Sequence, residues 1–78
     1  MMAISEQMAR TALKQVAGIA VDGWDMDFDF LDGAIDSLDH ATFLLHLEEE
    51  YGLAVPEEDV ALLNTIRSVV GYAKGKLG

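Results

Sequence analysis

A chain of 78 residues with 5 Lys and Arg against 14 Asp and Glu carries a formal charge of −9. Phosphate backbones require a basic patch, so nucleic acid is excluded as an expected partner and a basic protein surface fits better. With 51% apolar residues, one Pro and no Cys, the composition is not that of a disordered chain, and it excludes disulfides, thiolate catalysis and cysteine-ligated metals.

Residues 1–78 are expected to form one domain, because a second would have too little surface to bury. No stretch approaches the ~20 apolar residues of a membrane span. The opening MMAISEQMAR lacks the basic start and apolar run of a signal peptide. A cytoplasmic monomer is the expectation.

The first periodic segment covers 5–17. Ile4, Met8, Ala12 and Val16 share a row of four-residue spacing, with Ala9 and Leu13 beside them. That pattern predicts an amphipathic helix, with Ser5 as N-cap and Gly18 near its end. The Gly- and Asp-rich stretch 19–36 follows, carrying Val21, Trp24, Met26, Phe28, Phe30, Leu31 and Ile35. So many apolar side chains predict a long loop pinned onto a core. Met26, Phe28 and Phe30 alternate with aspartates as a strand would, but no second run is present to pair with them.

A second helix is predicted over 38–51, ending at Gly52. Pro56 then opens a short acidic segment, EEDVALL, read as one brief helix with the proline in its first position. Asn64 or Thr65 can cap a last helix whose apolar positions are Ile66, Val69, Val70, Ala73 and Leu77. Gly71 inside that helix costs about 1 kcal/mol relative to Ala. The expected fold is a small all-α bundle of three main helices plus one short one, with a long loop after the first.

The segment 25-DMDFDFLDGAIDSLDH-40 is dense in aspartate and invites a calcium reading. An EF-hand loop wants Asp at its first, third and fifth positions, Gly at the sixth and Glu at the twelfth. Counting from Asp25, the first, third and fifth fit through Asp25, Asp27 and Asp29, but the sixth is Phe30 and the twelfth is Asp36. The alternative is that these carboxylates form a solvated loop face.

Ser37 lies at the junction of that loop with the second helix, near unpaired backbone N–H groups and the positive end of the helix dipole. A phosphodiester on its hydroxyl is electrostatically favoured there. An ordinary N-cap role suits the same residue equally well, and local physics leaves both open.

From Asp36 onward, DSLDHATFLLHLEEEYGLAVPEEDV resembles the acyl carrier protein family. The likeness lies in the Asp-Ser-Leu signature, the LEEEYG helix end and the proline four residues past that glycine. The closing NTIRSVVGYAKGKL resembles the family's last helix, and the first helix and loop match in length and apolar rhythm. The resemblance implies that Ser37, between Asp36 and Leu38, carries a 4′-phosphopantetheine arm taken from coenzyme A by a phosphopantetheinyl transferase. It implies a carrier without catalysis of its own, whose arm holds cargo as a thioester. A loading ligase for acyl or aminoacyl groups and downstream synthases or transferases with basic docking patches are the implied partners.

Helical spacing of 38–51 puts Leu44, Leu47, Tyr51 and Phe43 on the core side. Leu38, Asp39, Thr42, Leu45 and Glu49 take the outer side, with Glu48 at its margin. By resemblance, Asp36, Asp39, Leu45, Glu48 and Glu49 match the family's recognition surface. The alternative for these acids is solubilisation of the helix and favourable charge near its N-terminus.

Three departures stand out. Gly33 lies four residues before Ser37, where fatty-acid carriers usually have it three before; the spacing looks more like D-alanyl and other aminoacyl carriers. Thr42 stands where those carriers are often acidic. His40 falls on the core side, where its bulk would reduce an acyl pocket and its imidazole needs a hydrogen-bond partner, unless it sits half-exposed at the edge. His46 is expected at the plain surface. Against the carrier stand two alternatives, an unmodified acidic helical adaptor of the same fold and a calcium module.

Overall fold

The computed structural model describes residues 4–77, with the backbone alone for Leu77. Its elements are α1 (Glu6–Ala17), α2 (Ser37–Tyr51), a short 3₁₀ helix η1 (Glu57–Leu62) and α3 (Ile66–Leu77). No strand occurs among the described residues, and α1 packs against both α2 and α3.

α1 begins and ends where its sequence signals lie. The Ser5 hydroxyl accepts the Met8 N–H at 3.2 Å, and Gly18 takes the left-handed φ of 70° that closes the helix, its N–H donating to the Lys14 carbonyl. Such a φ is easy for glycine and strained for other residues. The buried stripe is centred on Ala9, Ala12 and Leu13, with Met8 and Val16 at its edges. Small side chains at the contact let the backbone of α1 approach its neighbours.

The loop is pinned as expected. Val21, Phe30 and Ile35 are buried, Trp24, Met26 and Leu31 are partly so, and Phe28 alone of the set stays exposed. Phe30 stacks on Trp24 with ring centroids 6.1 Å apart and meets Phe43 of α2 edge-on at 6.2 Å. The strand-like alternation has another origin. Asp25 Oδ1 accepts the Asp27 N–H at 2.8 Å and Asp29 Oδ1 accepts the Leu31 N–H at 3.1 Å. These are Asx turns, and Phe28 and Asp32 return backbone bonds to Asp25 and Asp29. Asp25 and Asp29 are therefore turn formers as well as part of an exposed loop face.

Backbone bonds tie this loop to the start of α3: the Arg67 N–H donates to the Met26 carbonyl at 2.9 Å, and the Phe30 N–H to the Asn64 carbonyl at 3.0 Å. The Arg67 guanidinium reaches Asp27 at 2.7 Å. On the opposite flank Arg10 donates to the Val21 carbonyl at 2.8 Å. Of the two candidate caps for α3, Thr65 serves: its hydroxyl accepts the Ser68 N–H at 3.0 Å while the Ser68 hydroxyl accepts the Thr65 N–H at 3.1 Å. Ile66, Val69 and Ala73 are buried and Val70 partly so. The side chain of Leu77, the last of the expected positions, lies outside the described residues.

Pro56 requires a correction. It precedes the short helix as its cap residue, with φ −61° and ψ 152°, instead of occupying the first turn. The helix is 3₁₀ rather than α: the Asp59 N–H closes onto the Pro56 carbonyl at 2.9 Å. A six-residue segment is of the short length at which 3₁₀ helices occur.

Candidate functional site

The start of α2 is set by the residue before it. Asp36, with extended φ −90° and ψ 174°, is the N-cap: its Oδ1 accepts the Asp39 N–H at 2.8 Å. Its carbonyl accepts the His40 N–H at 3.0 Å. The chain enters that geometry through the buried Ile35, whose N–H donates to the Phe30 carbonyl, and through Gly33 at φ 96°. The N-cap alternative for Ser37 is thereby overturned, because the position belongs to Asp36 and Ser37 is the first helical residue.

This leaves Ser37 exposed, its hydroxyl outside every hydrogen bond among the described residues. The N–H groups of Ser37 and Leu38 precede any intrahelical partner and are likewise open. Two free donors and the helix dipole favour an oxyanion on that hydroxyl. The carboxylates of Asp36 and Asp39 oppose it, and bring negative charge to any approaching surface.

On α2 the residues in register with Ser37 are Ala41, Leu44, Leu45 and Glu48. They form one wall of a groove of about 370 Å³, and Val55, Glu57 and Val60 form the other. At 1.5 Å per residue Glu48 lies about 16 Å along the axis from Ser37. A second hollow of about 500 Å³ opens between the end of α1, the loop and Asp36 and Asp39.

The expected faces of α2 are largely as drawn. His40, Phe43, Leu44 and Leu47 are buried, while Tyr51 is only partly so. Leu38 is 72% and Leu45 53% exposed, Thr42 and Glu49 are exposed, and Asp39 and Glu48 are half-buried. The Thr42 hydroxyl donates to the Leu38 carbonyl at 3.0 Å, so it is turned onto its own helix. His46 is half-buried rather than plain surface. Leu62 of η1 is a further exposed apolar residue, at 60%. The sequence hid it, because the adjacent Leu62 and Leu63 gave no indication which one faces solvent.

His40 is not half-exposed. Its ring is 3% exposed, and Nε2 donates to the Leu63 carbonyl at 2.8 Å, 6.0 Å from the Phe30 ring. The carbonyl can only accept, which fixes the proton on Nε2. His40 does not line the groove.

The calcium candidates are separated by their tasks: Asp25 and Asp29 close turns and Asp27 pairs with Arg67. Among the described residues no three His, Asp or Glu side chains are grouped to hold a metal ion. The hydrogen bond to Asp27, and its charge, raise the Arg67 guanidinium above its ordinary value. Desolvation, then the hydrogen bond to Asp59, pushes the Tyr72 phenol up to about 12.

Residues 9–73 match the family described as "Phosphopantetheine attachment site". The chain is 36% identical to the "Acyl carrier protein" of Rhodococcus erythropolis over 61 residues, which is 77% of this chain and 67% of that protein.

Proposed function

The chain belongs to the acyl carrier protein family, defined by its phosphopantetheine attachment site, and from that premise we propose a carrier modified at Ser37. Members of the family are non-catalytic; they bear 4′-phosphopantetheine and work with a phosphopantetheinyl transferase and with synthase enzymes. When bound, the arm supplies a terminal thiol that holds cargo as a thioester.

One observation carries the assignment. Because Asp36 caps α2, the Ser37 hydroxyl is released from any capping role and stands exposed beside two unpaired N–H groups. Those donors fit a phosphodiester oxygen, and the register from Ser37 through Ala41 and Leu44 to Glu48 directs an attached arm along the groove. The chain contributes position: a tethered cargo meets each enzyme site at a high effective concentration.

Leu38 and Leu45 project from a face bearing Asp36, Asp39, Glu48 and Glu49, which fits a basic surface with an apolar contact at its centre. That face is the docking surface for the transferase, for a ligase that loads acyl or aminoacyl groups, and for downstream enzymes. Charge complementarity of this kind speeds encounter and weakens with salt.

Incubation with coenzyme A, magnesium and a phosphopantetheinyl transferase, followed by intact-mass measurement, tests the assignment. Gain of one phosphopantetheinyl group, lost in Ser37→Ala, is the expected result. No gain across several transferases refutes it.

A further inference from the structure

Among the described helices η1 alone buries none of its own residues. An element with so little apolar burial opens before the rest of the fold. It is held by the buried Leu53 and Leu63 on its flanks and by two polar tethers. The Tyr72 hydroxyl of α3 donates to Asp59 Oδ2 at 2.8 Å. The buried His40 ring of α2 donates to the Leu63 carbonyl at 2.8 Å. The Leu63 N–H in turn donates to the carbonyl of Val60 at 3.2 Å. One chain of bonds thus runs from His40 through Leu63 to Val60, a wall of the groove.

We infer that His40 is a latch that fixes the width of the groove between α2 and η1 and restricts the carrier to short cargo. The inference rests on Ser37 as the attachment point. A long apolar chain can enter the interior only if η1 moves away from α2. That movement breaks the bond from His40 to Leu63 and leaves a buried donor and acceptor without partners, the costly outcome for any hydrogen bond. Phe30 packs against both His40 and Phe43, with ring centroids 6.0 and 6.2 Å apart, and none of these rings lines the groove of about 370 Å³. Short cargo is received there without rearrangement. The carboxylates of Glu48 and Glu57 at the same groove make an ammonium-bearing aminoacyl group the best match in charge.

The test uses holo-protein loaded with butyryl, alanyl or decanoyl groups, once intact mass has shown the modification. Failure of the carrier assignment is therefore seen before any question about cargo is asked. The readouts are amide exchange at Asp59 and Leu63, methyl shifts of Val55 and Val60, and Tm. In the wild type, a decanoyl load is expected to leave η1 exchange and Tm as a butyryl load does. In His40→Thr, the η1 amides exchange about fivefold to tenfold faster, the equivalent of one net hydrogen bond, and the decanoyl load raises Tm and shifts both valines. If that variant does not fold, His40→Leu removes the donor while keeping the site filled, and the same outcome is expected. Tyr72→Phe loosens Asp59 but keeps the latch, and must still exclude the decanoyl chain. Burial of that chain in the wild type, its admission by Tyr72→Phe, or unaltered exchange in the folded His40 variant overturns the inference.

Discussion

The Asp36 carboxylate accepts the Asp39 N–H at 2.8 Å, and this one bond decides the status of the residue between them in the helix start, Ser37. With the cap supplied by Asp36, the serine contributes nothing to the helix end and is free to be modified. Asp36→Ala is expected to destabilise the fold by about 1 kcal/mol, as loss of a cap does. In a domain of this size that lowers Tm by roughly 4–8 °C. Asp36→Asn keeps the cap, and Ser37→Ala leaves the stability within about 0.5 kcal/mol of the wild type, the range of ordinary surface substitutions. Thermal unfolding of the three variants checks the ordering.

Leu45 is 53% exposed on the outer face of α2, beside the half-buried Glu48. Leu45→Ala removes no core contact, so the urea midpoint stays near that of the wild type. Modification of Ser37 by the transferase is expected to slow about tenfold, the range for loss of an apolar anchor. Asp39→Lys slows it as well, with a weaker dependence on salt than the wild type. Measured kcat/KM at two ionic strengths separates the apolar from the electrostatic contribution.

Gly71 sits inside α3, and a Cβ built there meets nothing within 4 Å. Gly71→Ala therefore relieves the helix of a poor former without a clash and is expected to stabilise it by about 0.5–1 kcal/mol. A higher urea midpoint with an unchanged slope is the predicted result.

The Tyr72 phenol is pushed up to about 12 from 10.0 by desolvation and by its bond to Asp59. The folded state then holds its proton more tightly than the unfolded chain. The stabilisation is full below about 10 and is lost as pH rises toward about 12. Stability measured across that window is expected to fall in the wild type, and Tyr72→Phe removes this component of the slope.

Much of this architecture was legible in advance because its signals are local. Ser5 and Gly18 bracket α1, Gly52 closes α2, and apolar spacing places the three main helices. The loop misled in detail: alternation of Asp with Met and Phe mimicked a strand, yet Asp25 and Asp29 fold back on neighbouring N–H groups and Asp27 pairs with Arg67. Periodicity records which side chains are apolar, not which turn the intervening polar groups close.

The sequence by itself determined the helical class and the acidic charge, since composition and periodicity are properties of neighbouring residues. Only the structure showed that Asp36, not Ser37, is the cap, its Oδ1 accepting the Asp39 N–H. It alone placed His40 inside, since its partner is a carbonyl 23 positions away. A hydrogen bond between elements distant in sequence leaves no local pattern, and here it joins α2 to the residue that follows η1.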